Sequence, residues 1–144
     1  MGEDPYDLSR FASAQDGVFE RALVELEAGR KTGHWMWFVF PQLRGLGASP
    51  AAHFYGLSSI AEARAYLGHP VLGPRLIRCT QTVLGVEGRT LHEIFGSPDD
   101  LKFRSSMTLF ELAAAGEDIP FSTAIAVLCE AQRDQRTLQL VEAR

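Results

Sequence analysis

The apolar residues near the start of the chain recur at steps of three and four positions, which is the spacing of one face of an α-helix. The series runs from Leu8 to Leu26 and ends before Gly29, a residue type that commonly stops helices. Asp4 and Pro5 are of the types preferred at the N-cap and the first position of a helix. The pattern therefore predicts one amphipathic surface helix from Pro5 to the residues before Gly29.

Later segments show further helix-start signals, each followed by apolar residues at helical spacing. The segment LRGLGASP, residues 43–50, is the most loop-like piece of the chain. No long alternation of polar and apolar residues occurs, so no β-sheet is predicted. We therefore expect one all-α domain over residues 1–144, a compact bundle of about six to eight mostly short helices. The later predicted starts are Ser59 with Glu62, Pro70 or Pro74, Thr90 with Glu93, Ser97 to Asp100, Pro120 and Asp134.

The segment HWMWFVFPQL, residues 34–43, is locally ambiguous. Its aromatic content favours a β-strand, whereas a helix here would be apolar on every side and therefore buried. Phe40 precedes Pro41, and a residue before proline is disfavoured in the helical region, so either element ends there. Because no other segment offers a strand partner, we predict a short buried helix that ends near Phe40.

Composition and charge exclude several classes of protein. With a net charge of −4 and an isoelectric point near 5.5, the chain lacks the basic character of a nonspecific nucleic-acid binder. No apolar run approaches the ~18 residues of a membrane span, and the acidic N-terminus does not resemble a signal peptide. Cys79 and Cys129 stand alone, without the spacing of a zinc site or a disulfide framework. We therefore expect a cytoplasmic protein without a metal or a cofactor.

Common catalytic motifs do not resolve the function. The chain contains no HExxH, GxSxG, GxGxxG or CxxC sequence and no EF-hand loop. Its histidines do not pair with one another at the spacing of helical metal ligands. The motifs therefore leave open whether the protein is an enzyme. The remaining candidates for a functional site are clusters of polar residues without a standard motif.

The segment SPDDLKFRSSMTLF, residues 97–110, carries two polar faces when it is placed on a helix. Asp100, Arg104 and Glu111 fall on one narrow stripe, which we expect to face the solvent. Apolar residues flank this stripe on both sides, so the rest of the helix is predicted to be packed against neighbouring elements.

The second polar face consists of Asp99, Lys102 and Ser106, which project together among apolar residues. A charge in such a position is costly unless it is paired. One interpretation is an ion pair between Asp99 and Lys102 that bridges this helix to a neighbour. The other is the floor of a polar pocket, where Lys102 or Arg104 holds an anion and Ser105 or Ser106 donates a hydrogen bond.

His34 and Gln42, at the two ends of the aromatic segment, are candidates for a second wall of this pocket. A histidine in this position can titrate near neutral pH, and the rings of Trp35 and Trp37 can stack on another ring or on a cation. Gln42 can recognise an amide or the edge of a base. The alternative is that residues 35–40 are core and His34 is their polar edge.

Three longer motifs resemble a family that occurs in bacteria and plants, the domain of unknown function DUF1810. They are GHWMWFVFPQLRGLG at 33–47, HPVLGPRL at 69–76 and IFGSPDDLKFRSSMTLF at 94–110. The resemblance implies an all-helical single domain, which supports a helix over 34–40, but it implies no reaction. Some members carry a calpastatin-like label, and nothing in this repeat-free chain supports calpain inhibition.

In one place the chain departs from the family pattern. Members often have a glycine-rich turn before an RTL motif, whereas EAQRDQRTLQL, residues 130–140, keeps Arg136, Thr137 and Leu138 without the glycines. This difference leads us to expect a more continuous helix near residues 130–135.

Two hypotheses for the function remain. The first is a small helical protein that binds a small anionic or nucleotide-like ligand in a polar pocket between the 34–42 segment and the helix over 98–115. The alternative is a non-catalytic protein–protein interaction module. For the first hypothesis, the ligand-binding candidates are Trp37, Gln42, Asp99, Lys102 and Arg104, and the catalytic candidates are His34, Lys102, Ser105 and Ser106.

Overall fold

The structure is a computed structural model that describes residues 3–117 and 119–144. Within these ranges it contains ten helices and no β-sheet, so the predicted all-α fold is confirmed, with slightly more helices than expected. No helix in the described ranges is long and apolar enough to cross a membrane. The helices are α1 (Ser9–Gln15), α2 (Phe19–Glu27), α3 (Met36–Val39), α4 (Pro50–Phe54), α5 (Ile60–Gly68), α6 (Leu72–Leu84), α7 (Leu91–Phe95), α8 (Asp99–Ala114), α9 (Phe121–Leu128) and α10 (Gln135–Glu142).

Several helices begin at the residues that the sequence predicts as N-caps. The hydroxyl of Ser59 accepts a hydrogen bond from the backbone N–H of Glu62 at 3.1 Å, and α5 follows. Thr90 and Glu93 form a complete capping box at the start of α7. The carboxylate of Asp134 caps α10. These caps satisfy N–H groups that have no partner within the helix.

The predicted single N-terminal helix is wrong, because two helices occupy this part of the chain. α1 and α2 are separated at Gly17, whose φ of +73° lies in the left-handed region that interrupts a right-handed helix. The carboxylate of Asp4 accepts hydrogen bonds from the N–H groups of Leu8, at 2.7 Å, and Ser9, at 3.0 Å, and so closes a turn before α1. The apolar stripe persists across the break, with Phe11 in α1 and Phe19 in α2 both buried.

The aromatic segment forms the predicted short helix α3, and most of it lies in the core. Trp35 and Phe40 are 1% and 0% exposed, whereas Trp37 is only half-buried. After α3 the chain runs beside residue 57: the N–H of Leu57 donates to the carbonyl of Gln42 at 2.9 Å, and the N–H of Arg44 donates to the carbonyl of Leu57 at 2.7 Å. This short bridge fixes the backbone at Gln42. The loop then leads into α4, which the sequence pattern does not predict.

Helix α8 is the central element of the fold and packs against α5, α7, α9 and α10. Phe103, Met107 and Phe110 have no exposed surface, and the ring of Phe103 lies 5.2 Å from that of Phe40 and 5.1 Å from that of Phe95, measured between centroids. A helix that is covered on most sides needs apolar residues around most of its circumference, as the two apolar flanks predict.

The expected solvent stripe of α8 is half-buried, and the expected continuous helix near residues 130–135 is wrong. α9 ends at Leu128, and Glu130 and Ala131 have φ values of 55° and 59°, which turn the chain back towards α8. Arg133 then pairs with Glu111, with Nη2 2.8 Å from Oε2. The predicted Asp100–Arg104 pair is not among the described ion pairs. The returning segment covers part of the face that the helical pattern assigns to solvent.

Candidate functional site

A cavity of about 230 Å³ lies between the segment after α3, the start of α8 and the start of α10. We call it the Trp37 pocket. Three parts of the chain that are distant in sequence build it, so its existence depends on the tertiary fold. Its lining consists of Trp37, Gln42, Leu46, Gly47, Pro98, Leu101, Lys102, Ser105, Asp134 and Arg136.

The ammonium group of Lys102 is held on both sides. Its Nζ lies 3.9 Å from the centroid of the Trp37 ring and 3.2 Å from Oδ1 of Asp99. The other oxygen of Asp99 lies 2.8 Å from Nζ of Lys31, so one carboxylate joins two lysines. Burial opposes the ionisation of Asp99, but the hydrogen bonds and charges of the two lysines outweigh it and lower its pKa. The Lys31–Asp99–Lys102 triad therefore carries one net positive charge.

The loop that carries Lys31 is organised by Glu25 of α2. Its Oε1 accepts hydrogen bonds from the backbone N–H groups of Thr32, at 2.7 Å, and Gly33, at 2.8 Å, and from the indole N–H of Trp35, at 3.0 Å. Burial disfavours the charged form of Glu25, but these hydrogen bonds lower its pKa below the ordinary value. Glu25 thus holds the loop in place, and the loop presents Lys31 to α8.

The third wall is formed by Asp134 and Arg136. The N–H of Asp134 donates to the hydroxyl of Thr108 in α8 at 3.0 Å, and its carboxylate accepts from the N–H of Thr137 at 2.9 Å. Oδ2 of this carboxylate therefore caps α10. Arg136 is exposed and brings a second cationic side chain to the pocket. Neither residue is predicted from the sequence as part of the site, and the local signal at Asp134 is that of an N-cap.

Four of the candidates from the sequence line the Trp37 pocket together: Trp37, Gln42, Lys102 and Ser105. Ser105 is 6% exposed, and its hydroxyl donates to the carbonyl of Leu101 at 3.1 Å. In this arrangement Ser105 offers the pocket an acceptor oxygen, whereas the expectation was a donor. The expected ion pair between Asp99 and Lys102 is present, and Asp99 joins it to Lys31 of a neighbouring loop; Lys102 also lines a cavity, and its binding of an anion stays a prediction.

The other four candidates do not line this pocket. His34 is exposed, and Ser106 has no exposed surface and no hydrogen-bond partner for its hydroxyl among the described residues. Asp99 is not part of the lining, and its carboxylate contacts Lys102, which is. Arg104 lines a different cavity on another side of α8. With His34 and Ser106 outside, the described lining offers the cationic side chains of Lys102 and Arg136, the amide of Gln42 and the carboxylate of Asp134.

Comparisons with known proteins agree with the helical fold and identify no activity. The family model described as "Protein of unknown function (DUF1810)" matches residues 5–141. The crystal structure of the conserved hypothetical protein Rv1873 from Mycobacterium tuberculosis is 55% identical in sequence, with a TM-score of 0.94. The match covers 96% of this chain and 99% of that one. No curated protein matches the chain.

Proposed function

We propose that this chain, which belongs to the DUF1810 family, binds a small anionic or nucleotide-like ligand in the Trp37 pocket. The observation that carries the proposal is that Lys102 and Arg136 reach the same cavity from different helices. The only carboxylate among the described lining residues is that of Asp134, whose Oδ2 accepts from the N–H of Thr137 at the start of α10. Two cationic side chains therefore face one carboxylate, so the described lining carries a net positive charge and favours an anion.

The ammonium group of Lys102 is already held in a position from which it can bind an anion. The Trp37 ring and Asp99 hold it without surrounding it, and its side chain is 21% exposed. A hydrogen bond from such a charged group to a ligand contributes on the order of 1.5–3 kcal/mol. Since the ammonium is fixed before the ligand arrives, little further side-chain entropy is lost on binding.

The remaining lining indicates how the rest of a ligand would be held. The ring face of Trp37 that Lys102 covers is closed to stacking, so Trp37 serves mainly to position the lysine. Leu46, Pro98 and Leu101 supply apolar surface, and the amide of Gln42 can pair with the edge of a base or an amide. The proposal is one of binding: His34, the candidate acid or base, lies outside the lining.

Thermal-shift screening and isothermal titration calorimetry test this proposal, with inorganic phosphate, adenosine monophosphate and adenosine as probes. Phosphate and the nucleotide should raise the melting temperature, whereas the uncharged nucleoside should have a much smaller effect. Lys102→Ala and Arg136→Ala should each weaken binding about tenfold or more, the equivalent of one charge-assisted hydrogen bond.

Arg21→Ala is the matched control, because Arg21 is an exposed cation on α2 that lies outside the pocket lining. It lowers the net charge by the same amount and should leave the affinity unchanged. Equal losses in Arg21→Ala and Lys102→Ala would show only a general charge effect. Binding of none of the three probes would contradict the proposal.

A further inference from the structure

A second cavity, of about 190 Å³, lies on another side of α8, against α7 and the end of α9. Arg104 lines it, although the helical pattern places this residue on a solvent stripe. Its side chain lies beside the buried thiol of Cys129, and Arg104 is not among the ion pairs of the described residues. The guanidinium therefore brings to this cavity a positive charge that has no carboxylate partner among the described residues.

Carboxylates and apolar side chains surround the same cavity. Asp100 lies one helical turn before Arg104, and its Oδ2 is 3.2 Å from Nδ1 of His92, which holds the carboxylate in place. Glu130, whose backbone is in the left-handed region, lines the cavity from the end of α9. The apolar part of the lining is supplied by Leu91, Leu101 and Leu128.

We infer that this second cavity binds a free α-amino acid with an apolar side chain, in its zwitterionic form. The ligand carboxylate pairs with the guanidinium of Arg104, which forms no ion pair among the described residues, and the ligand ammonium group contacts Asp100 and Glu130. The leucines surround the side chain. The cavity is smaller than the ~300 Å³ at the lower end of ordinary ligand sites, which suits one amino acid and not a peptide. This site is separate from the Trp37 pocket, although Leu101 borders both.

A ligand series tests the zwitterion requirement on the full chain. Isothermal titration calorimetry compares L-leucine with 4-methylpentanoate, which has no ammonium group, and with 3-methylbutylamine, which has no carboxylate. We expect L-leucine to bind and each analogue to bind about tenfold more weakly or worse, since each loses one charged contact. Equal affinity of 4-methylpentanoate and L-leucine would overturn the inference, as would the absence of L-leucine binding at millimolar concentration.

Two variants locate the binding. Arg104→Gln and Asp100→Asn should each weaken L-leucine binding at least about tenfold. Arg78→Gln and Asp16→Asn are matched controls at exposed positions and should bind as the wild type does. Circular dichroism and thermal unfolding establish that each variant is folded. Should Arg104→Gln not fold, Asp100→Asn with the ligand series still decides: L-leucine binding unchanged in Asp100→Asn would overturn the site.

Discussion

The substitution Glu62→Gln is expected to cause a large loss of stability, because Glu62 holds a buried arginine. The two side chains are almost completely covered, with 7% of Arg10 and 3% of Glu62 exposed, and Nη2 of Arg10 lies 2.9 Å from Oε2 of Glu62. The other carboxylate oxygen accepts from the backbone N–H and the hydroxyl of Ser58, both at 2.8 Å. A glutamine has one acceptor oxygen, so its NH₂ group must face either Arg10 or the Ser58 donors.

The size of the stability loss follows from the buried guanidinium of Arg10, which has no counter-charge in Glu62→Gln. Breaking a buried ion pair by removing one partner costs about 3–5 kcal/mol. Native proteins are stable by only about 5–15 kcal/mol, so Glu62→Gln should remove a substantial part of the total. At ~2–4 °C per kcal/mol for a chain of this size, the melting temperature should fall by roughly 6–20 °C.

Urea denaturation followed by circular dichroism measures this loss. Glu27→Gln, at an exposed position of α2, is the matched control and should change the free energy of unfolding by less than about 0.5 kcal/mol. A loss below about 1 kcal/mol in Glu62→Gln would refute the reasoning, since it would mean that the pair is not effectively buried.

Replacing both partners should not restore the stability. A double substitution by apolar residues can be neutral for an isolated buried pair. Arg10, however, also donates to the carbonyls of Tyr6 at 2.6 Å, Asp7 at 2.8 Å, Phe54 at 2.7 Å and Gly56 at 3.2 Å. Arg10→Met with Glu62→Met would leave these acceptors without their donor. Full recovery in the double variant would contradict this account of the network.

Three further substitutions test other parts of the structure. Gly17→Ala should cost about 1 kcal/mol in urea denaturation, because the site is sterically open but its φ of +73° is unfavourable for alanine. Glu111→Ala should weaken phosphate binding measured by calorimetry, because it releases Arg133 and so loosens the segment that carries Arg136. The pKa of Asp99 is lowered in the folded state, so its stabilising effect should be fully present above its unfolded pKa of about 3.9 and lost as the pH falls below it. The difference in unfolding free energy between wild type and Asp99→Asn should therefore shrink in acid.

Each of these three predictions has a contradicting outcome. Gly17→Ala with wild-type stability would show that the left-handed conformation is not required. Unchanged phosphate affinity in Glu111→Ala would show that the position of Arg136 does not depend on the contact between Arg133 and Glu111. A difference between wild type and Asp99→Asn that is constant from neutral to acidic pH would mean that Asp99 does not gain its charge stabilisation on folding.

The secondary structure is largely readable from the sequence where the signal is local. Ser59, Thr90 and Asp134 begin helices because each cap bonds to an N–H three positions along the same segment. The N-terminal helix was less predictable, since the apolar spacing continues across Gly17 although the backbone does not. A hydrophobic period reports which face is buried, and it does not report whether the backbone turns between two buried residues.

The candidate site was predictable to the extent that its residues share a helix or a segment. Lys102 and Ser105 follow from the helical projection of α8, Trp37 follows from the stacking capacity of the aromatic segment, and Gln42 follows from the polar end of that segment. The projection could not show that Arg104 and Glu111 are half-buried, because the residues that cover them come from other elements of the chain, such as α7, α9 and the segment at Arg133. A helical projection assigns every polar face to solvent, because it contains no information about the neighbouring elements of the fold.

The sequence alone determined the helical composition of this protein and the common face of Asp99 and Lys102, because those features depend on spacings of three or four residues. Only the tertiary structure decided that Arg136 joins Lys102 at one cavity and that Arg104 belongs to another. That arrangement depends on the left-handed turn at Glu130 and Ala131 and on contacts of Arg133 and Asp134 with α8. Such contacts form only when the whole chain is folded, so no local pattern specifies them.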